Sequence, residues 1–196
     1  MFKSPGILIV DPIPFSGKMN NLFEPFWMIL MVSGDIGNYY RHQLEVRYNL
    51  KLVKPVWGSH VSVISGETIF KTNYDMIVSS TKDYLKKNNN ASINDLYLHL
   101  LDKKLVTIEE LANWETIKNK FHKKEIHFNY DISPRTNGKH WWLKVISEDF
   151  ENIREECGYT RTPYWSFHLT LGTPLPIHSE HSLYIYNNYT KFNWTH

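Results

Sequence analysis

One arrangement, occurring twice, constrains this chain more than any other feature. An apolar strand-like run is followed by a short amphipathic helix, then by a strand carrying a histidine and a hydroxyl residue two apart, closed by glycine. The first copy begins Pro25-Phe26-Trp27-Met28-Ile29-Leu30-Met31-Val32. In Ser33-Gly34-Asp35 either Ser33 or Asp35 can cap a helix, and Ile36, Tyr40 and Leu44 then recur at helical spacing. It ends in Gly58-Ser59-His60-Val61-Ser62-Val63-Ile64-Ser65-Gly66. The second copy begins Trp141-Trp142-Leu143-Lys144-Val145-Ile146. Ser147 caps its helix, and Glu148 and Asp149 suit the positive N-terminal end. Phe150, Ile153 and Cys157 share one helical face, Gly158 is placed to end the helix, and Phe167-His168-Leu169-Thr170-Leu171-Gly172 follows.

Side chains alternate faces along a strand, so His60 projects with Ser62, and His168 with Thr170. If the two strands lie side by side, two imidazoles and two hydroxyls converge. Two histidines can serve as general base and general acid while the hydroxyls hold a phosphate. Such a site cleaves a phosphodiester without a metal. With ten His in the chain, roughly one His-x-Ser/Thr is expected by accident on composition alone. A chance motif would not bring its strand and helix with it.

The duplicated unit resembles the two-histidine (2H) phosphoesterase superfamily, which includes the LigT-like RNA end-processing enzymes, the 2′,3′-cyclic nucleotide phosphodiesterases and phage proteins that degrade cyclic oligonucleotide signals. The resemblance covers roughly residues 25–66 and 139–172, with the second stretch the nearer match. It implies an α+β fold of two pseudo-symmetric lobes, whose antiparallel sheets surround a central cleft. It also implies that His60, Ser62, His168 and Thr170 take the catalytic positions, with Ser62 standing where threonine is commoner. The wording around Trp57-Gly58-Ser59-His60 and Asn137-Gly138-Lys139-His140 is similar to that of tailed-phage proteins of an RNA-repair-like kind.

The 196 residues suffice for one domain with a sizeable core. A net charge of +2 argues against gripping long duplex nucleic acid through a broad basic face, and leaves a small nucleotide or a short RNA end as substrate. The single cysteine, Cys157, excludes an intramolecular disulfide and suits a packing role. No signal peptide or membrane span is visible, so a cytoplasmic location, that of the host if the protein is viral, is expected. An Asn-, Lys-, Ile- and Tyr-rich composition suits an AT-rich genome such as a phage's.

Along the chain, Gly6-Ile7-Leu8-Ile9-Val10 reads as a strand able to add to a sheet edge, and a turn-rich stretch with Pro12, Pro14 and Gly17 follows. Residues 25–66 form the first unit, 67–123 a helical insertion and 124–172 the second unit. Within the insertion, the pattern predicts a helix from Tyr74 to Lys87, broken by Asn88-Asn89-Asn90. A second helix is capped by Ser92, with Ile93, Leu96 and Leu100 on one side. A third begins at the capping box Thr107-Ile108-Glu109-Glu110 and carries Leu111, Trp114 and Phe121. The last two can be read as a helix-turn-helix or as helices packed on the sheet, and the second reading is simpler. Lys118, Lys120, Lys123 and Lys124 read as a solvated basic face. Alternation from Glu125 to Asp131 predicts a half-buried strand, and Tyr184-Ile185-Tyr186 a last edge strand.

Neither motif has the spacing of a zinc site, and no phosphate loop or dinucleotide fingerprint is present, so no cofactor or metal is expected. Trp57, Tyr164 and Trp165, shortly before the two motifs, are candidates to stack a base, with hydrophobic packing as the plainer alternative. Lys139 can reach a phosphate or be an ordinary exposed turn lysine. His140 reads as a strand-edge residue, and His178 and His181 as surface residues. The expected activity is metal-independent cleavage of a ribonucleotide phosphodiester in a cyclic nucleotide, a cyclic oligonucleotide signal or a 2′,3′-cyclic phosphate. RNA end processing and non-catalytic sequestration of a nucleotide are the alternatives.

Overall fold

The computed structural model describes residues 1–14, 19 and 22–175. Gly17, His178, His181 and the expected strand at Tyr184-Ile185-Tyr186 lie outside the described residues. Eight strands and six helices follow one another among those described: β1 (Phe2–Val10), β2 (Met28–Val32), α1 (Gly34–Tyr48), β3 (Leu52–Val53), β4 (His60–Ile64), α2 (Gly66–Ile69), α3 (Tyr74–Lys87), α4 (Ile93–Asp102), α5 (Ile108–Phe121), β5 (Glu125–Tyr130), β6 (Arg135–Thr136), β7 (Trp141–Ile146), α6 (Glu148–Glu156) and β8 (His168–Pro174).

The strands run in the order β3-β8-β4-β2-β1-β5-β7-β6, and β8 also pairs with β7. Six of them therefore close into a ring, with β3 and β6 attached at its rim, and every pairing is antiparallel. The fold is α+β with an antiparallel sheet, as the resemblance implies. The strands join into one sheet closed on itself, where two lobes with antiparallel sheets around a central cleft were expected. Closure pairs strand edges that an open sheet would leave free.

β1 corrects an expectation. It is no edge strand: it pairs with β2 through Leu8↔Leu30 and with β5 through Ser4↔Phe128. Pro5 is tolerated there because it falls just past the last β1–β2 partner pair, Gly6↔Val32. The alternation in β5 holds, with Ile126 and Phe128 buried between exposed neighbours.

The insertion helices are helical where expected and do not stand apart as a helix-turn-helix. Leu96, Leu100, Trp114 and Phe121 join the same buried cluster as the sheet residues Leu8, Leu30 and Phe128. Asp11 ties them down. Its buried carboxylate accepts from the Tyr97 hydroxyl at 2.6 Å, the Trp114 Nε1–H at 3.1 Å and the Phe26 amide at 3.0 Å. Two of the basic-run lysines are ion-paired, Lys120 with Glu156 at 2.6 Å and Lys118 with Glu115 at 3.8 Å. Cys157 is half-buried and packs against the core, and burial pushes its thiol up to about 11. Among the described residues no helix is long and apolar enough to cross a membrane.

Candidate active site

β4 and β8, the two strands that carry the repeated motif, are neighbours in the ring. They run antiparallel, with Val61 opposite Leu169. Antiparallel pairing about that point sets His60 across from Thr170 and Ser62 across from His168. Val61 and Leu169 are both fully buried. The four motif side chains share the other face. The two histidines are diagonal neighbours across the β4–β8 pair, a relation that spaces residues by roughly 7–8 Å.

Each imidazole is held by its own chain two residues back. His60 Nδ1 lies 2.8 Å from the Gly58 carbonyl oxygen, and His168 Nδ1 lies 3.0 Å from that of Ser166. A carbonyl only accepts, so Nδ1 carries the proton and Nε2 presents its lone pair. Both anchoring residues have left-handed backbone, φ 78° at Gly58 and 56° at Ser166, which turns their carbonyls back toward the rings. The residue before each histidine is fixed as well. The Ser59 carbonyl accepts from the Val32 amide at 3.0 Å, and the Phe167 carbonyl from the Val145 amide at 3.0 Å. Each motif strand is thus held by the strand that opens its own unit.

The surroundings of the two rings differ. His60 is only 7% exposed and meets Trp57 edge-on, ring centres 5.3 Å apart. Burial lowers its pKa to about 4; the hydrogen bond to Gly58 opposes that shift and nearby His168 adds to it. His168 is half-buried and opens onto a cavity of about 350 Å³ lined by Asn137, His140, Trp142, Trp165, His168 and Thr170. Burial lowers its pKa too, against the Ser166 carbonyl and with a further push from His140. Both rings are neutral at pH 7 in the free protein. Among the described residues no three His, Cys, Asp or Glu side chains gather to hold a metal ion.

Of the expected base-stacking residues, Trp165 lines the cavity beside His168. Tyr164 is 87% exposed and touches Trp165 edge-on at 4.7 Å. Trp57 is a buried wall behind His60, tilted against Trp27 with ring centres 5.1 Å apart, and among the described residues its Nε1–H has no hydrogen-bond partner. Lys139 is exposed in the turn before β7 and does not line the cavity. That turn is built by Asn137, whose Oδ1 accepts from the amides of Lys139 at 3.0 Å and His140 at 2.9 Å.

The cavity also includes Asn137, His140 and Trp142, which sequence reasoning did not assign to the site. Trp142 sits directly across from Thr170 in the β7–β8 pairing. His140 Nδ1 lies 3.1 Å from Thr173 Oγ1 on β8. Alternation along β7, with Trp141 buried and Trp142 half-exposed, was a usable signal for Trp142 once β7 is known to neighbour β8. Comparison of the chain with protein-family models, with curated proteins and with solved structures finds no match in any of the three.

Proposed function

We propose that the chain is a two-histidine phosphodiesterase that cleaves a ribonucleotide phosphodiester by metal-independent acid–base chemistry. The observation that carries this reading is the β4–β8 pairing, which gathers His60, Ser62, His168 and Thr170 on one face, each ring with Nδ1 tied to a carbonyl. The likeness to the two-histidine phosphoesterases gains support from the strand pairings. Exchanging β1 with β5, β2 with β7 and β4 with β8 leaves the pairings of the six-stranded ring unchanged; only β3 and β6 fall outside that correspondence.

In this reading His60, buried and neutral, takes the proton from the attacking oxygen, either water or a ribose 2′-hydroxyl. A new P–O bond forms as the bond to the leaving oxygen breaks. His168, open to the cavity, acquires a proton when the anionic substrate arrives and passes it from Nε2 to that leaving oxygen. The Ser62 and Thr170 hydroxyls donate to the non-bridging oxygens, where negative charge gathers. Attack by a 2′-hydroxyl leaves a 2′,3′-cyclic phosphate; attack by water on a cyclic phosphate leaves a monoester. Trp142 and Trp165 offer aromatic faces to a base on the His168 side.

A second reading, sequestration without turnover, draws on the lowered pKa of both histidines, which leaves the free protein without a ready acid. One experiment separates them. The protein is incubated in EDTA with cyclic dinucleotides, cyclic trinucleotides, 2′,3′-cyclic nucleotides and short RNAs, then denatured, and the nucleotides are read by mass spectrometry. Cleaved product from a small cyclic substrate is expected. Ligand bound but recovered intact throughout the panel overturns catalysis in favour of sequestration, and product from the RNAs alone favours end processing.

A further inference from the structure

Two buried arginines carry an inference that rests on the catalytic reading above. Arg41, in α1, belongs to the helix that precedes β4, yet its Nη1 donates to the carbonyl of Leu171 on β8 at 3.0 Å. Arg154, in α6, belongs to the helix that precedes β8, yet its Nη1 donates to the carbonyl of Val63 on β4 at 2.7 Å. Each guanidinium therefore crosses from one unit to the other unit's motif strand. Each also lands on the same relative position, three residues beyond the histidine.

The rest of each fork is fixed locally. Arg41 Nη2 donates to the Asn38 side-chain oxygen. Arg154 Nε donates to the Thr160 carbonyl at 2.7 Å. Arg41 is 6% exposed and Arg154 1%. Among the described residues neither forms an ion pair. A charge buried without an acidic partner is expensive, and an apolar side chain would join a helix to a sheet at less cost. What an apolar side chain lacks is a rigid set of donors able to hold a carbonyl and a local acceptor at once.

Those donors act where the sheet is weakest. Val61↔Leu169 is the one partner pair between β4 and β8, whereas β1 pairs with β2 from Gly6↔Val32 to Val10↔Met28. The junction that brings the two histidines together thus has almost no ladder of its own. Beyond that pair, one carbonyl on each strand, Val63 on β4 and Leu171 on β8, is taken by a crossed arginine.

We infer that Arg41 and Arg154 are positioning residues that set the separation and ring orientation of His60 and His168 by bracing β4 and β8 against the opposite unit's helix. Neither touches the cavity, so neither is catalytic. Loosening either brace lets the strands slide or part, and a misplacement of about 1 Å at a reacting pair can cost on the order of a hundredfold in rate.

The test uses the full chain with Arg41→Met, Arg154→Met, Arg41→Lys and Arg154→Lys. The lysine variants keep the charge and the stem but lose the fork, and are the milder replacements should methionine prevent folding. A Leu96→Ala variant, in the insertion, provides a fold weakened away from the histidines. Two readouts are taken on folded protein: kcat and KM on whichever nucleotide is cleaved, and the side-chain nitrogen shifts of His60 and His168 at neutral pH. The arginine variants are expected to lose about tenfold or more in kcat with little change in KM. Their histidines should pass from one Nδ1–H tautomer to a mixture, while Leu96→Ala keeps parental kcat and tautomers. Parental kcat and unchanged histidine shifts in the folded lysine variants would overturn the inference, as would an equal kcat loss in Leu96→Ala. If no nucleotide is cleaved at all, the catalytic reading fails, and the histidine shifts still decide whether the arginines orient the rings.

Discussion

The site depends on a few backbone and side-chain choices at single residues. Gly58 and Ser166 adopt left-handed backbone so that their carbonyls meet His60 and His168, and Ser166 does so at a cost on the order of 1 kcal/mol for a residue with a Cβ. If those rings do the proton transfers, His60→Ala and His168→Ala each lower turnover by about a hundred- to ten-thousand-fold. Ser62→Ala and Thr170→Ala cost less, because each removes a hydrogen bond and leaves both proton carriers in place. Steady-state rates in EDTA check both, and restoration of activity only by added zinc or manganese would count against the mechanism. One helical turn before each bracing arginine the two units differ. Gly37 faces Ser59 in the first, whereas Phe150 packs on Phe167 in the second, ring centres 5.3 Å apart. A Cβ on Gly37 would stand 1.6 Å from Ser59 Oγ. Gly37→Ala is therefore expected to destabilise by about 1–3 kcal/mol through overpacking, and Ser59→Gly in the same chain should return part of it. Urea titration measures both, and a Gly37→Ala midpoint equal to the parent's would show that α1 can shift freely.

At the scale of elements, the helices were legible where their signals are local. α3 runs over Tyr74–Lys87 as its pattern and the Asn88-Asn89-Asn90 break predict. The capping box at Thr107 forms in full, with the Glu110 amide donating to Thr107 Oγ1 at 3.1 Å and the Thr107 amide to the Glu110 carboxylate at 2.7 Å. Ser33 stands at the N-cap of α1 but makes no side-chain cap bond. Thr107→Ala is accordingly expected to cost about 1 kcal/mol, and Ser33→Ala close to nothing, by urea midpoint. An equal loss at both sites would contradict the capping geometry. The two-residue strands β3 and β6 left no trace in the sequence. Each exists because a neighbour supplies partners, as Thr173 does for Val53 and Trp142 for Arg135. β1 was legible as a strand but not as one paired on both sides, since its partners arrive from distant parts of the chain.

At the scale of the whole molecule, closing the sheet buries a histidine in the interior of the fold, and that has a consequence for stability. The folded pKa of His60 lies near 4, below its ordinary value of 6.5. The unfolded chain therefore binds more protons between those values. Stability from this group is complete above about pH 6.5 and is lost as the pH falls toward 4, about 3 kcal/mol in all. His168 acts in the same direction. The buried Asp11 carboxyl, raised mainly by desolvation, acts in the opposite one, its penalty easing as acid protonates it. Urea midpoints followed from pH 7 to pH 4 should fall steeply for the parent and more gently for His60→Gln. Parallel curves would mean that His60 titrates near its ordinary value in the folded protein.

The sequence by itself determined the repeated unit, the faces of His60, Ser62, His168 and Thr170 on their strands, and the extents of α3, α4 and α5. Those features rest on contacts within a few residues, or on the two-residue alternation of a strand, and such contacts are written in adjacent letters. Only the tertiary structure decided that β4 lies beside β8, that the ring closes through β7 and β8, and that Trp142, His140 and Asn137 join Trp165 around one cavity. It alone showed Arg41 and Arg154, which no pattern along the chain singles out, to be buried donors to the opposite strand. Strand pairing and burial are properties of residues far apart in sequence, and no local pattern specifies which distant strand will supply the partner.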